Sequence, residues 1–341
     1  MTSPISPTLR VSVVVPVYRS EAILPELCRQ VHGALQHAGW ADQFEMILVD
    51  DCSPDRSWQV VTELARRHPW VRGISLRKNF GQHNALMAGL HQVRGRVVVL
   101  MDDDLQHPPS EIVRLVQVLE RDPLADVCYT RYLGRQHAIW KRLGSRFNDW
   151  AATLLLKKPR GLYLSSFKAL RFDMVQEIIR YDGPFAYLDG LILSITRAFA
   201  VVDIQHQARH AGEGNYSLRR SVSLWLKMAT SFSIFPLRVV TVLGFTLTLL
   251  SMAMMAFVVY ERLTHPQIPA GWASLAATVL LLGGIQTFCM GMLGEYLGRA
   301  YLKLNRAPQF SVRHTTDAAP AHTHANANAN ADTNADRDPI R

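Results

Sequence analysis

The chain has 341 residues, 48% of them hydrophobic, and a formal net charge of +9, enough for one large domain or two average ones. Its four cysteines, Cys28, Cys52, Cys128 and Cys289, show no CxxC spacing, which excludes a disulfide framework and points to a reducing compartment. Between Arg131 and Arg180 eleven Lys and Arg stand against Asp149, Asp173 and Glu177; without zinc-finger spacing or an RNA-binding aromatic signature, this stripe disfavours nucleic acid and suits an anionic membrane or a phosphorylated substrate.

In chain order, Val11–Val17, Phe44–Val49, Val71–Leu76, Arg96–Met101 and Ala125–Thr130 are rich in Val and Ile and read as strands. Helical patterns lie between them at Glu21–His37, Ser57–Arg67, Gln82–Val93 and Glu111–Glu120. Ser53-Pro54-Asp55 and Pro108-Pro109-Ser110 supply turn and capping chemistry ahead of two of these helices. Such alternation implies a Rossmann-like, mostly parallel sheet with helices on both faces. The strand ends Pro16-Val17-Tyr18, Asp50-Asp51, Arg77-Lys78-Asn79 and Asp102-Asp103-Asp104 should then share one crevice, where open α/β sheets bind ligands.

The run Asp102-Asp103-Asp104-Leu105-Gln106-His107-Pro108 carries the most chemistry. Three adjacent carboxylates repel one another, and in a folded site they need a cation. Carboxylate and amide oxygens suit Mg²⁺ or Mn²⁺, which would in turn hold a diphosphate. A solvated acidic loop is the alternative. The strand before the run and the helix start after it favour a site.

The carboxyl-terminal third reads as a membrane module. Val239–Tyr260 is 22 residues without a charge and Gln267–Gly294 is 28, and about 20 apolar residues suffice to cross a bilayer core. A pair of buried core helices is the alternative. Arg209, Arg219, Arg220, Lys227 and Arg238 precede the first run, while Arg299, Lys303, Arg306 and Arg313 follow the second. That pattern predicts two spans with both termini and the α/β domain in the cytoplasm. Arg219, Arg220 and Lys227 mixed with Trp225, Phe232 and Phe235 suggest a stretch lying along the membrane surface. The expected organisation is a catalytic domain at 10–217, a juxtamembrane segment at 218–236, and spans at 237–260 and 268–294. A cytoplasmic segment at 295–312 and a disordered Ala/Asn/His tail at 313–341 would follow.

Val13-Val14-Val15-Pro16-Val17-Tyr18, Leu48-Val49-Asp50-Asp51, Asn79-Phe80-Gly81 and the Asp102–Pro108 run together resemble the family 2 glycosyltransferases of the GT-A fold. The Asp-x-Asp-Leu-Gln-x-Pro form and the two trailing apolar runs are similar to the polyprenyl-phosphate branch of that family. The resemblance implies a nucleotide-sugar donor such as a UDP-sugar, Mg²⁺ or Mn²⁺, and a polyprenyl (undecaprenyl) phosphate acceptor. It also implies inversion at the anomeric carbon, placement in a bacterial plasma membrane and a role in cell-envelope glycan synthesis. Self-association into a homo-oligomer is left open.

By the same resemblance, Pro16, Tyr18 and Glu21 would border the base and ribose, and Asp51 would accept a hydrogen bond from the base. Arg77 and Asn79 would close over the nucleotide. Asp102, Asp104 and Gln106 would hold the metal, with Asp103 beside them where relatives carry a small residue. Arg131, Lys141, Arg142 and Ser145 would contact the acceptor phosphate, and Arg209 would sit on a loop reaching the donor phosphates. Asp189 lies where soluble relatives place a general base, and could equally orient a sugar hydroxyl or cap a helix. Leu162-Tyr163-Leu164-Ser165-Ser166-Phe167-Lys168 departs from an Asp-x-x-Ser-Gly-Phe-Arg pattern, with Leu162 in place of the Asp. Two other readings remain: a synthase extending a glycan, which would need more spans and a Gln-x-x-Arg-Trp motif, and a nucleotide-binding membrane scaffold without turnover.

Overall fold

Every residue of Val11–Val17 (β1) is buried, as a strand covered by helices on both faces requires. The computed structural model of the chain describes residues 9–133, 159, 162–205, 235–264, 271–305 and 307–316. Around β1 run α1 (Leu24–His37), β2 (Phe44–Asp50), α2 (Ser57–Arg67), β3 (Val71–Leu76), α3 (Gln82–Leu90), β4 (Val97–Leu100), α4 (Glu111–Arg121) and β5 (Val127–Leu133). Beyond these lie β6 (Lys168–Arg171), α5 (Phe172–Ile178), α6 (Leu188–Ile195), β7 (Phe199–Gln205), α7 (Phe235–Thr264), α8 (Trp272–Leu304) and β8 (Val312–Thr315). The first nine elements match the alternation expected from the sequence, within a few residues at their ends. The start of α1 is displaced by three residues, Leu24 rather than Glu21. A turn with Arg19 at φ 59° precedes it, and Pro25 can enter a helix only in its first turn.

The sheet has eight strands in the order β7-β5-β6-β4-β1-β2-β3-β8. β1 pairs in parallel with β2 and β4, β2 with β3, and β5 with β7, while β6 runs against both β4 and β5, and β8 against β3. The sheet is therefore mostly parallel, an α/β arrangement of GT-A type. Alternate residues of β1 feed two cores. Val11, Val13, Val15 and Val17 pack toward α1, α2 and α4, while Val14 joins α3, α5 and α6 on the other face.

The amino ends of the strands are tied by a buried polar network. Ser12 Oγ donates to Glu45 Oε1 at 2.6 Å, Arg72 Nη1 donates to Glu45 Oε2 at 2.8 Å, and the Arg94 amide donates to Glu45 Oε1 at 2.7 Å. Removing one partner of such a cluster would strand a buried charge, so this end of the sheet is structural. On the opposite face α3 approaches β1 and β2 through Gly89, where a Cβ would lie 2.4 Å from Val14 Cγ1 and 3.1 Å from Val49 Cγ2. Gly89→Ala is expected to overpack this contact and lower stability by about 1–3 kcal/mol. An unchanged thermal midpoint would show that α3 can shift to make room.

Helices α7 and α8 contain 30 and 33 residues. Phe245, Leu250, Phe257, Leu281, Phe288 and Met290 on them are exposed. Counting only described residues, no helix is long and apolar enough to cross a membrane, so the two expected spans do not follow from these helices alone. After α8 the chain returns to the sheet. Gln309 Nε2 donates to the Gly183 carbonyl at 3.0 Å, and the Gly73 amide donates to Thr316 Oγ1 at 2.8 Å. Residues 312–315, expected to end a cytoplasmic segment and begin a disordered tail, instead form strand β8 on the open edge of β3.

Candidate active site

β1 and β4 are neighbours in the sheet though β2 and β3 intervene in the chain, and a crevice opens beyond their carboxyl ends, where such sheets bind ligands. The cavity there measures about 430 Å³. Its walls come from four strand ends: Pro16, Val17 and Tyr18 at the end of β1, Asp51 after β2, Asn79, Gly81 and Gln82 after β3, and Asp102, Asp103 and Asp104 after β4. Four carboxylates thus line it, with no Lys or Arg among these lining residues.

The loops hold their shape through local strain and hydrogen bonds. Arg19, Cys52 and Leu105 take left-handed φ values of 59°, 56° and 58°, each costing about 1–3 kcal/mol and common where function dictates backbone shape. Ser53 donates its amide to Asp50 Oδ1 at 3.2 Å and accepts from the Arg19 amide at 3.2 Å, bracketing the turn at Cys52. The Gln106 amide donates to Asp104 Oδ1 at 3.1 Å, an Asx-type turn around Leu105.

Each predicted residue has a definite neighbourhood where it is described. Asp51 accepts from the amides of Phe80 at 2.7 Å and Gly81 at 2.8 Å, so it fastens the loop after β3 across the crevice. Burial raises its carboxyl pKa, the two amides oppose the rise, and Asp50 adds to it. Asp103, which lacked an evident role, turns back toward β1, where it accepts from the Tyr18 amide at 3.2 Å and from the Ser20 hydroxyl. Burial pushes its pKa up to about 6, against those hydrogen bonds. Glu21 lies outside the crevice lining and accepts from the Arg56 amide at 2.8 Å. Arg77 also lies outside that lining, with its amide donating to the Ser311 carbonyl at 2.9 Å and its carbonyl accepting from Arg313 Nη2 at 3.0 Å.

Two predicted residues are otherwise engaged. Arg131 makes a two-pronged ion pair with Asp203 of β7, at 2.6 and 2.8 Å. Asp189 is buried at the start of α6, where its Oδ1 accepts from the buried Lys168 ammonium and from Tyr129 Oη at 3.0 Å. Asp189 is not among the residues lining the crevice. Lys141, Arg142, Ser145 and Arg209 fall outside the described residues.

Sequence reasoning missed Ser20, Gln82, His107 and Ser166. Gln82 Nε2 donates to Asp102 Oδ1 at 2.7 Å, and Ser166 Oγ donates to Asp102 Oδ2 at 2.7 Å. His107 was within reach, since it follows Gln106 directly in the acidic run. Ser166 lay in the segment already marked as departing from pattern.

The donor chemistry fits a divalent cation. Asp102 and Asp104 present hard oxygen atoms to one cavity, the preference of Mg²⁺ and Mn²⁺. Among the described residues no three His, Cys, Asp or Glu side chains gather closely enough to hold an ion alone. Oxygens of a bound diphosphate would have to complete the shell, the usual arrangement for Mg²⁺.

Comparison with known proteins shows the family. The glycosyl transferase family 2 model matches residues 12–187, and the GtrB C-terminal hairpin model matches residues 235–300. The chain is 34% identical over 310 residues to an undecaprenyl-phosphate 4-deoxy-4-formamido-L-arabinose transferase of Pseudomonas savastanoi pv. phaseolicola, covering 89% of each chain. To the protein of that description from Edwardsiella ictaluri it is 32% identical over 312 residues, covering 90% of this chain and 94% of the other. A solved glucosyl-3-phosphoglycerate synthase from Mycobacterium tuberculosis has a TM-score of 0.48 at 19% identity, over 65% of this chain and 76% of that one. That likeness is too remote to carry an argument about the site. The chain belongs to glycosyl transferase family 2. It is a glycosyltransferase, and it joins the catalytic domain of that family to a carboxyl-terminal hairpin.

Proposed function

We propose that this enzyme transfers a sugar from a nucleotide donor to undecaprenyl phosphate or a similar polyprenyl phosphate, at the membrane surface. The observation that carries the reading is correspondence over the whole architecture. Relatives named for undecaprenyl-phosphate transfer align over about nine-tenths of the chain, hairpin included.

The crevice supports a donor with its base toward Pro16, Tyr18 and Asp51 and its diphosphate toward Asp102 and Asp104. Asp102, Asp104 and Gln106 would hold Mg²⁺ or Mn²⁺, which supplies positive charge against the leaving nucleoside diphosphate. A lipid monophosphate has its second pKa near ~6, so its attacking oxygen is already anionic at neutral pH. The reaction then needs placement of the acceptor opposite the leaving group more than it needs a base. The engagement of Asp189 by Lys168 and Tyr129 agrees with that, and in-line attack would invert the anomeric carbon. The basic stretch holding Lys141, Arg142 and Ser145, together with Arg209, is the proposed phosphate grip. Arg131 would join it only by leaving Asp203.

We also assign the α7–α8 hairpin to a bacterial plasma membrane, with the catalytic domain and both termini in the cytoplasm. At 1.5 Å per residue the helices are about 45 and about 50 Å long. Their exposed apolar side chains, and the uncharged runs that they overlap, are suited to lipid. The decisive experiment offers the full chain, in detergent with undecaprenyl phosphate and Mn²⁺, a panel of nucleotide sugars. The panel includes the UDP derivative of 4-deoxy-4-formamido-L-arabinose. One donor should yield labelled lipid that chelation abolishes. Sugar incorporated only into a growing glycan, or no turnover with any donor, would overturn the reading.

A further inference from the structure

Asp102 is held from three directions before any ligand arrives. Gln82 donates to Oδ1 at 2.7 Å and Ser166 donates to Oδ2 at 2.7 Å, while the backbone amide of Asp102 donates to Nδ1 of His107 at 3.1 Å. Because Nδ1 accepts that hydrogen bond, the neutral His107 ring carries its proton on Nε2. Nε2 lies 3.4 Å from Ser166 Oγ and 3.8 Å from Asp102 Oδ2. Ser166 therefore receives from the ring while giving its own proton to the carboxylate. The ring has little freedom of its own: His107 is 5% exposed and stacks on Phe167 with centroids 5.1 Å apart and planes 7° from parallel. Ser166 and Phe167 are adjacent in the chain, so one short segment leading into β6 supplies both the hydroxyl and the stacking surface. Asp104 differs. Its one hydrogen bond among the described residues comes from the amide of Gln106 within its own loop.

We propose that Ser166 and His107 are positioning residues that preset the Asp102 carboxylate for the divalent cation, leaving Asp104 as the ligand that adjusts when cation and diphosphate enter together. The inference deepens the reading above and rests on its cation. Outer partners of this kind hydrogen-bond a ligating carboxylate and fix its orientation, and their loss typically weakens metal binding by about 10–100-fold. Neither side chain is among the residues lining the crevice, so both act through Asp102, which is.

The test is Mn²⁺ affinity of the full chain in detergent, read from the electron paramagnetic resonance of free Mn²⁺ with and without UDP. Ser166→Ala should weaken Mn²⁺ binding about tenfold at an unchanged melting temperature, and Ser166→Thr, which keeps the hydroxyl, should restore it to within about twofold. His107→Phe keeps a ring on Phe167 but removes both nitrogens, and should weaken binding in the same direction. Wild-type affinity in Ser166→Ala would overturn the proposal, as would a loss that Ser166→Thr does not repair. If the unaltered chain binds no Mn²⁺ with or without UDP, the cation itself is wrong and the broader reading fails with it.

Discussion

Asp104→Asn is expected to fold normally and to lose at least about 10²-fold in turnover. The side-chain oxygen that accepts from the Gln106 amide survives the exchange, so the turn around Leu105 keeps its hydrogen bond. What disappears is one negative charge facing the crevice. A cation poised against the leaving diphosphate would then be bound more weakly and placed less well, and removing one charge-stabilising group from a preorganised site costs about 10²–10³-fold in rate. Kinetics with labelled donor would give the loss, and a thermal melt would confirm the fold. Wild-type turnover in the variant, or full activity of the wild type in excess chelator, would remove the metal from the mechanism.

The second large effect concerns stability. Lys168 and Asp189 form an ion pair with side chains 3% and 10% exposed, and the ammonium also lies 5.1 Å from the centre of the Tyr129 ring. Lys168→Met would leave the Asp189 carboxylate buried without its counter-charge, at a cost of about 3–5 kcal/mol. For a catalytic domain of this size that lowers the melting temperature by on the order of 10 °C. Adding Asp189→Leu should recover part of the loss, because no uncompensated charge remains, although the Tyr129 hydroxyl then lacks its acceptor. A wild-type midpoint for Lys168→Met would show that the pair is not an ionised one.

The first half of the sheet was legible because its signals are local. Val97–Leu100 is apolar throughout and Val11–Val17 is so but for Ser12, and their connections carry recognisable turn and helix patterns. The strands added later were not. β6 reads Lys-Ala-Leu-Arg, and its lysine is buried only because Asp189 arrives from α6 to meet it. β8 reads Val-Arg-His-Thr, with three exposed residues, and is a strand because β3 has an open edge. In both cases the deciding partner is distant in the chain, so no window of sequence contains the reason. The site followed the same rule. Carboxylates at strand ends were visible, whereas the roles of Ser20, Ser166 and Asp103 depend on contacts between loops 64 to 83 residues apart.

The return of β8 to the sheet imposes an order on assembly. Chains fold from the amino terminus as they emerge, yet the edge of β3 and the backbone of Arg77 receive their last partners, Thr316 and Arg313, from beyond both long helices. The catalytic domain is therefore left unfinished along the β3 edge until α7 and α8 have been synthesised. A chain stalled or clipped ahead of β8 would keep its acidic crevice but expose an unpaired strand, the kind of edge that invites aggregation and quality-control proteases. Completion of the enzyme is in this way coupled to completion of its carboxyl-terminal hairpin.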